Sequence, residues 1–231
     1  MKEMIGIIAA MEEEMQEIKN KMISIEELKH KNVTFYIGKM ANKDCVLVQS
    51  GVGKVNAART TQLLIDKFDI KEIINVGSAG AIKEEINFGD IVIGKELVQH
   101  DFDITAFGHK RGYITDLGRT FYSDKMLVSR AYEVIKEISN SEYNVYIGNI
   151  ASGDIFFTNM SDAKDLIKEF NTDCVEMEGA AIAQVCYLEK MPFICIRSIS
   201  DSPNGNNNIE FDKYLQMASK RCADFLEEFV K

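Results

Sequence analysis

The feature that most constrains this chain is the regular alternation of short apolar runs with amphipathic segments. The runs MIGIIAA (residues 4–10), IINVGSAG (73–80) and FICIRSISD (193–201) are rich in isoleucine and largely apolar on both faces. The segments between such runs place apolar residues three or four positions apart, which is the spacing of amphipathic helices. Buried strands that alternate with helices build a sheet between two helical layers. The pattern therefore predicts an α/β fold with three layers, αβα, around a central mixed sheet.

Local signals add a hairpin and several helix ends to this prediction. Residues 32–40 and 44–50 flank a short polar turn, and this pattern is typical of two antiparallel strands. Ser123 and Ser161 each precede a helical pattern, so both are predicted N-caps. The glycine- and asparagine-rich residues 202–208 predict a loop, which leads into a long amphipathic helix.

Composition favours one domain of ordinary globular type. Of the 231 residues, 46% are hydrophobic and 27% are charged, which is typical of a chain that buries a sizeable core. The 2 prolines are isolated, and no stretch resembles a linker, a repeat or a low-complexity segment. We therefore expect residues 1–231 to form a single domain.

The charge of the chain excludes some classes of partner. The formal net charge of -9 repels phosphate backbones and anionic headgroups, so we expect neither a nucleic acid nor a membrane as partner. The apolar residues 4–10 run directly into Glu12, Glu13 and Glu14, where a signal peptide would have small residues and a cleavage site. No apolar run is long enough to form a transmembrane helix, and we expect a cytoplasmic protein.

The cysteines and histidines do not show the spacing of a metal site. The five cysteines are Cys45, Cys174, Cys186, Cys195 and Cys222. Their odd number and the lack of a two-residue spacing predict reduced core thiols rather than disulfides or a metal site. The three histidines form no helical pair at metal-ligand spacing, so no metal is expected.

Three loops that follow predicted strands carry carboxylates, and ligands of α/β sheets bind at such loops. The acidic run 12–14 fits the first turn of a helix, where carboxylates favour the dipole, but one of the three could also act as a base. Spacing alone does not choose among them. Glu176 and Glu178 either lie at a water-exposed edge or accept bonds from the vicinal hydroxyls of a ribose. Asp201 is either a turn residue or a partly desolvated acid that donates a proton.

Two further loops are rich in small residues. SGVGKVNAA (50–58) has a Gly-Val-Gly turn before a helix, but the residue after Lys54 is valine where a P-loop needs serine or threonine. A tight turn with close helix packing explains this loop better than phosphate binding. NVGSAG (75–80) predicts a place where a flat ligand approaches the backbone.

Taken together and in this order, these segments resemble the 5'-methylthioadenosine/S-adenosylhomocysteine nucleosidases, within the purine nucleoside phosphorylase superfamily. The resemblance covers almost the whole chain and rests on IGIIAAMEEE, SGVGKVNAA, INVGSAG, FGDIVI, HDFDITAFG, ASGDIFF, VEMEGAAIAQVC and IRSISD. It implies a central mixed, partly barrel-like sheet flanked by helices, a homodimer, and catalysis without metal or organic cofactor. It also implies a role in methionine salvage and in the clearance of methylation by-products.

The resemblance assigns roles in the chemistry to five residues. Glu14 resembles the base that activates the attacking water, and Asp201 resembles the acid that protonates N7 of adenine. Ser200 resembles the residue that holds Asp201. Ser78 and Arg197 resemble residues near the water and the ribose. The implied division of labour between the two carboxyl groups is that of inverting glycosidases.

Substrate-binding roles follow from the same resemblance. Glu178 resembles the carboxylate that binds the ribose hydroxyls, and Met177 packs under the ribose. Phe156 resembles the aromatic residue that stacks on adenine, and the backbone of Phe157 reads the edge of the base. The apolar wall around the 5' substituent is represented by Met11, Val52 and Phe211. Phe107 resembles a residue that one subunit of the dimer lends to the pocket of its partner.

The sequence departs from the family just after TAFG. The family often has aromatic or apolar residues there, near the mouth of the 5' pocket, whereas this chain has HKRG (109–112). The size and polarity of the preferred 5' group therefore stay open, and a hydrolase for futalosine-type nucleosides is an alternative. The departure does not affect Glu14, Glu178 or Asp201.

Other functions on a related fold are less consistent with these residues. A phosphorylase needs arginines and backbone N–H groups for phosphate at the first strand end, where this chain has residues 12–14, all glutamate. Two like charges about 4 Å apart repel by ~4 kcal/mol near a protein surface, which disfavours a phosphate dianion there. A non-catalytic nucleoside-binding protein is expected to lack Glu14 or Asp201. A dinucleotide-dependent oxidoreductase is expected to have a full glycine fingerprint after the first strand, and this chain has none.

Overall fold

In a computed structural model of the chain, the described residues are 3–202 and 207–231, and they form ten strands and six α-helices. The strands are β1 Met4–Ala9, β2 Ile23–His30, β3 Val33–Met40, β4 Lys43–Gln49, β5 Ile70–Ala81, β6 Ile91–Gln99, β7 Phe121–Tyr122, β8 Val145–Ser152, β9 Cys174–Glu176 and β10 Phe193–Asp201. The helices are α1 Glu12–Lys19, α2 Lys54–Lys67, α3 Lys125–Ser139, α4 Met160–Phe170, α5 Gly179–Glu189 and α6 Asn207–Phe229. Most of the loop predicted at 202–208 lies outside the described residues, since 203–206 are not among them.

The sheet closes on itself along part of its length. Its strand order is β10-β6-β8-β9-β5-β1-β4-β3-β2, and β10 also pairs with β5, so five strands form a closed barrel. Beyond β5, the strands β1, β4, β3 and β2 extend from this barrel in that order as an open sheet. Parallel and antiparallel pairs both occur, because β5 runs parallel to β1 and β10 but antiparallel to β9. The predicted central mixed, partly barrel-like sheet is confirmed.

Alternating residues of the strands face two separate layers of helices. Along β1, Ile7 belongs to a buried cluster with residues of α1, α3 and α6. Its neighbour Ile8 belongs to the opposite cluster, with residues of α2 and α5. Successive strand side chains point to opposite faces, so a run that is apolar at every position is buried on both. This arrangement confirms the predicted αβα layers.

Several local predictions were wrong or incomplete. No sequence pattern predicted β2, an edge strand that pairs with β3 and has mostly exposed residues, or the two-residue β7. The N-cap of α3 is Asp124 rather than Ser123, because the Asp124 carboxylate accepts the N–H groups of the first helical turn. The N-cap of α4 is Asn159 rather than Ser161. In each case a residue nearby supplied the capping oxygen, and sequence spacing does not resolve such small shifts.

Two further observations bear on the sequence predictions. The five cysteines are all buried free thiols, as predicted. Within the described part of the chain, no helix has the length and apolar character needed to cross a membrane.

Candidate active site

A cavity of about 250 Å³ lies where the loops after β1, β4, β8 and β9 meet the C-terminal halves of β5 and β10. Its lining residues are Ala10, Met11, Glu14, Val52, Val76, Gly77, Ser78, Ala79, Gly80, Phe156, Val175, Glu176, Met177, Glu178, Arg197, Asp201 and Phe211. Because β9 runs antiparallel to β5, its C-terminal end reaches the cavity from the opposite side. Carboxyl groups from distant parts of the chain therefore line the same small cavity.

Glu14 is the buried member of the acidic run at the start of α1. Its side chain is 3% exposed, whereas Glu12 and Glu13 are exposed. Its Oε2 accepts the backbone N–H groups of Ala10 and Met11, both at 3.1 Å. Its Oε1 accepts the Ser78 backbone N–H at 2.9 Å and the Ser78 hydroxyl at 3.0 Å. Four donors fix the carboxylate, and only the hydroxyl can rotate away to let a water bind Oε1.

Glycines of β5 make room for two carboxylates. A Cβ on Gly77 would lie 3.0 Å from Oε1 of Glu14, and a Cβ on Gly80 would lie 2.9 Å from Oδ2 of Asp201. These separations are shorter than ordinary contacts, so larger residues would displace the carboxyl groups. The small residues of NVGSAG were predicted to let a ligand approach the backbone. Residues 76–80 do line the cavity, and the two glycines also let these two side chains lie against the backbone.

Asp201 ends β10 and is 4% exposed. The Ser200 hydroxyl donates to its Oδ1 at 2.9 Å. This bond and the contact with Gly80 hold the carboxyl group at the cavity wall. Burial of a carboxyl group is costly without hydrogen-bond partners, and these contacts give Asp201 a defined position.

Two buried glutamates on either side of Met177 have opposite environments. Glu176 accepts Arg197 Nη2 at 2.5 Å, the Ser152 hydroxyl, and the N–H groups of Glu178 and Gly179 at 3.1 and 2.7 Å. Burial by itself would raise the pKa of Glu176, but Arg197 and these donors together lower it. Glu176 is thus an ionised cap at the N-terminus of α5, where a negative charge is favoured.

Glu178 faces the cavity with fewer donors around it. Its Oε1 accepts the Gly53 N–H at 2.8 Å. Burial raises the pKa of Glu178, and the neighbouring charge of Glu176 raises it further. The sequence alternative of an exposed edge is wrong, because both glutamates are 7% exposed. A carboxyl group poor in protein donors is suited to accept hydrogen bonds from a bound ligand.

Aromatic and apolar groups form the other walls. Phe156 is 45% exposed and meets Phe211 edge-to-face, with ring centroids 6.1 Å apart. Met11, Val52 and Met177 complete this side of the lining. A flat ring bound against Phe156 would gain stacking and burial, while its polar edge would meet the carboxyl groups opposite.

Carboxyl groups outnumber cationic groups in the cavity. Among the described lining residues there are four carboxyl groups, Glu14, Glu176, Glu178 and Asp201, and one cation, Arg197. Arg197 is 2% exposed and is already bound to Glu176 and to Oδ1 of Asn75, each at 2.5 Å. The cavity thus favours a cationic group and offers no unpaired described cation to an anion.

Comparison with known proteins agrees with this geometry. The model of the phosphorylase superfamily matches residues 4–231. A 5'-methylthioadenosine/S-adenosylhomocysteine nucleosidase of Staphylococcus haemolyticus (strain JCSC1435) is 43% identical over 229 residues, which cover 99% of each chain. The chain belongs to this nucleosidase family.

Solved structures give the same result. A nucleosidase of this family from Neisseria meningitidis, in complex with methylthio-immucillin-A, has a TM-score of 0.95 and 37% identity, covering 100% of this chain and 99% of that one. The native futalosine hydrolase of Helicobacter pylori strain 26695 has a TM-score of 0.94 and 33% identity, covering 99% of this chain and 97% of that one. The fold is thus common to hydrolases that are named for different nucleosides.

Most of the residues that the nucleosidase resemblance implied lie together at the cavity. Those that line it are Glu14, Asp201, Ser78, Phe156, Met177, Glu178, Arg197, Met11, Val52 and Phe211, and Ser200 adjoins it through Asp201. Phe157 is not a lining residue and packs instead against a small buried cluster and the ring of His100. Phe107 ends a short 3-10 helix, Thr105–Phe107, and is 82% exposed, away from the cavity of its own chain.

The sequence analysis did not identify the buried polar residues that bind Arg197 and Glu176. The polar partners of Arg197 and Glu176, namely Asn75 and Ser152, come from β5 and β8 and are 1% and 0% exposed. Gly53 was considered only as part of a tight turn. The sequence signal for its role was that a glycine, which has no side chain to cap a helix, precedes α2. Its φ of 97° is a backbone conformation that glycine adopts readily.

The unusual HKRG segment of this nucleosidase has a partly structural role. Arg111 Nε donates to the carbonyl of His100 at 2.5 Å, and its guanidinium lies over Phe170. His109 stacks on Tyr113 with ring centroids 4.5 Å apart. Arg111 is therefore held against its own chain, while Lys110 is exposed.

Proposed function

We propose that this chain hydrolyses the N-glycosidic bond of 5'-methylthioadenosine and S-adenosylhomocysteine, and also of 5'-deoxyadenosine, with water as nucleophile. The products are adenine and the 5-substituted ribose. The observation that carries the proposal is the cavity with Glu14, Glu178 and Asp201 on its walls and its one described cation paired. Such a site stabilises a cationic sugar and repels a phosphate.

Asp201 acts as the general acid. Cleavage of the bond leaves electrons on adenine, and protonation of N7 lets the base leave as a neutral molecule. Asp201 must therefore be protonated when substrate is bound. Ser200 orients it through Oδ1, and the Gly80 backbone limits its movement.

Glu14 acts as the base on the other face of the sugar. A water that takes the place of the Ser78 hydroxyl at Oε1 would be held for attack on C1', and Glu14 would accept its proton. The remaining three donors keep the carboxylate fixed during the exchange. Preorganised groups of this kind need not reorient in the transition state.

Glu178 binds the ribose hydroxyls, and Phe156 stacks on the base. The Gly53 N–H fixes Oε1 of Glu178 while the cavity leaves the carboxyl group accessible to a ligand. The two ribose hydroxyls donate hydrogen bonds to Glu178 in place of the water molecules that its burial excludes. The negative charge of Glu178 then also favours the oxocarbenium-like sugar.

Product analysis tests the reaction type. The purified protein is incubated with 5'-methylthioadenosine, with and without phosphate, and the sugar product is identified. We expect adenine and free 5-methylthioribose at the same rate in both conditions. A sugar 1-phosphate that forms only with phosphate would mean a phosphorylase and would overturn the role of Glu14.

A futalosine-type nucleoside is the second candidate substrate. The high structural similarity to the Helicobacter pylori futalosine hydrolase is the observation that favours it. The test is a comparison of kcat/KM for futalosine and 5'-methylthioadenosine with the same enzyme preparation. We expect the methylthio nucleoside to be preferred, because Met11, Val52 and Phe211 make its 5' wall apolar.

We also propose a homodimer in which Phe107 enters the pocket of the partner subunit. Phe107 is 82% exposed, so its ring is available to a partner subunit, and it lies in the segment HDFDITAFG that resembles the family. Sedimentation of the wild type and of Phe107→Ala, together with KM for 5'-methylthioadenosine, tests this. A fully active monomer would overturn the proposal.

The remaining proposals concern the chain as a unit. Residues 1–231 act as one domain, since β5 is common to the barrel and to the open sheet and, among the described residues, no linker separates the two. The cytoplasm is the proposed compartment, and five buried free thiols support it, since thiols persist in a reducing environment. The acidic charge also supports the absence of nucleic-acid and membrane partners.

A further inference from the structure

Three charged residues that follow three different strands close a ring of hydrogen bonds just outside the cavity. Lys54 Nζ donates to Oδ1 of Asp101 at 2.6 Å, and the Asp154 backbone N–H donates to Oδ2 of Asp101 at 3.0 Å. The Lys54 backbone N–H in turn donates to Oδ1 of Asp154 at 2.8 Å. Lys54 begins α2 after β4, Asp101 follows β6 and Asp154 follows β8, so the ring joins the ends of three strands.

The ion pair in this ring is held more firmly than a surface pair. Both side chains are 17% exposed, and Lys54 Nζ also donates to Oε1 of Gln99 at 3.1 Å. Burial tends to raise the pKa of Asp101, but the bonds from Lys54 and from the Asp154 backbone lower it overall. Asp101 therefore stays ionised through the neutral range. Charge-assisted bonds with partial burial are the stronger class of hydrogen bond.

The ring also caps a helix that has no capping residue of its own. The N-cap of α2 is Gly53, which has no side chain, and the Lys54 N–H is satisfied by Asp154 instead. A Cβ on Gly53 would lie 3.1 Å from Oδ1 of Asp154. Helix N-termini need acceptors for their first N–H groups, and here the acceptor comes from another loop. The start of α2 is thus placed by Asp154, and Asp154 is placed by Asp101.

Residues next to Lys54 and close to Asp154 in the sequence belong to the active site. Gly53, directly before Lys54, donates to Oε1 of Glu178 at 2.8 Å, and Val52 lines the cavity. Phe156, two residues after Asp154, lines the opposite wall. Lys54, Asp101 and Asp154 are not themselves lining residues. The ring therefore connects the group that holds the ribose carboxylate to the loop that carries the stacking aromatic residue.

We propose that Asp101 is a positioning residue for nucleoside hydrolysis, which sets the separation between Glu178 and Phe156 by closing the ring of Lys54, Asp101 and Asp154. This inference rests on the proposed function. Asp101 does not touch the substrate. It acts by fixing the Gly53 N–H on Glu178 and the Phe156 loop at the same time, so that ribose and base are bound in one geometry.

The test compares Asp101→Asn with the wild type on 5'-methylthioadenosine and on its 3'-deoxy analogue. Asparagine keeps the shape of aspartate but presents an N–H₂ group to one of its two donors, which opens the ring. We expect kcat/KM for the full substrate to fall by about 10- to 100-fold, mainly through KM, because small displacements of positioning groups have effects of this size. The loss on the 3'-deoxy analogue should be much smaller, since that substrate already lacks a hydroxyl for Glu178.

Two further variants keep this test informative. Asp173→Asn opens the Lys83–Asp173 ion pair, which has a similar length of 2.7 Å and similar exposures of 19% and 14%, but neither residue lines the cavity. We expect it to lower Tm without the change in KM. If Asp101→Asn does not fold, Lys54→Gln opens the ring from its other side and should show the same difference between the two substrates.

The outcomes are distinct. An Asp101 or Lys54 variant whose kcat and KM stay within about twofold of the wild type, or that loses equally on both substrates, would overturn the positioning role. If the wild type itself releases no adenine, the proposed function fails. The positioning role is then measured as the loss of 5'-methylthioadenosine affinity in equilibrium dialysis. A loss that is much smaller for the 3'-deoxy analogue supports the role, and an equal loss or none overturns it.

Discussion

At the scale of single residues, identical side chains acquire different chemistry from the donors around them. Glu14 is surrounded by four donors, and Glu176 by donors and a guanidinium. Glu178 has an acidic neighbour and faces the cavity. The donors around Glu14 fix its position and those around Glu176 favour its charge, whereas the surroundings of Glu178 disfavour charge until a ligand supplies donors. Residue type alone therefore does not assign the roles.

The first prediction concerns Asp201. Asp201→Asn removes the transferable proton and should lower kcat for adenine release by at least about a hundredfold, while adenosine analogues still bind. Release of p-nitrophenol from a p-nitrophenyl 5-methylthioriboside should be largely retained, because that leaving group departs without protonation. Normal adenine release by the variant would remove Asp201 from the mechanism.

The second prediction concerns the stability cost of Glu178. Its folded-state pKa lies above the ordinary value of 4.5, so the folded protein binds this proton more tightly than the unfolded chain. The contribution of Glu178 to stability is therefore fully present below pH 4.5 and is lost as pH rises through the folded-state pKa. Glu178→Gln should thus have a higher Tm than the wild type at about pH 9 and lose this advantage by about pH 4.

Thermal unfolding across pH measures this effect, and exposed Glu12→Gln is the matched control. The same Glu178→Gln protein should lose about 10- to 100-fold in kcat/KM, since it gives up charge-assisted bonds to the ribose hydroxyls. A variant that is less stable at alkaline pH would contradict the assignment of Glu178 as a poorly solvated carboxyl group.

At the scale of secondary-structure elements, β5 organises the site. It pairs with β1, β9 and β10, and its small residues lie where these strands bring carboxyl groups together. Glu14 reaches β5 from α1, and Asp201 reaches it from the end of β10. A strand with bulkier residues at these positions would still fit the apolar pattern but would not admit the two side chains.

The third prediction tests this role of β5. Gly80→Ala places a Cβ 2.9 Å from Oδ2 of Asp201 and should displace the acid. We expect kcat to fall by about 10- to 100-fold with a smaller change in KM, because the added methyl group points at Asp201 and displaces the acid. In the Asp201→Asn background the same substitution should cause almost no further loss. Additive losses would show that Gly80 matters for another reason.

At the scale of the whole molecule, closure of the barrel brings strand ends of opposite direction to one place. It also buries polar groups that the mechanism does not use. His100, at the end of β6, is 0% exposed, and neither ring nitrogen has a hydrogen-bond partner among the described residues. Its ring packs against Gly153 and lies 5.3 Å from that of Phe157. Burial lowers the pKa of His100 to about 4.

The fourth prediction follows from this pKa. Above about pH 6.5 both folded and unfolded states hold the imidazole neutral, and His100 has no pH-dependent effect on stability. Between that value and pH 4 the unfolded chain binds a proton that the folded protein does not, so stability falls as pH falls. In His100→Gln the slope of the free energy of unfolding against pH should be smaller, by up to about 1.4 kcal/mol per pH unit. Denaturant unfolding at several pH values measures it, with exposed His109→Gln as control, and an unchanged slope would contradict it.

The sequence by itself determined the layers and most of the elements, and through the family resemblance it proposed residues of which most line one cavity. Apolar runs that are buried on both faces specify strands, and helical periodicity specifies the flanking layers, because both depend on neighbours within a few residues. Several motifs in order also specified the family. Edge strand β2 escaped this reasoning because most of its residues face water and leave no apolar pattern.

Only the tertiary structure decided what surrounds each carboxyl group. Glu14 differs from Glu12 and Glu13 because it reaches Ser78, which lies 64 positions away, and the Gly53–Glu178 and Arg197–Asn75 bonds span 125 and 122 positions. Such contacts depend on strand register and on closure of the barrel, which no local pattern encodes. The burial and the partners that set each group's charge state exist only after those distant segments have met.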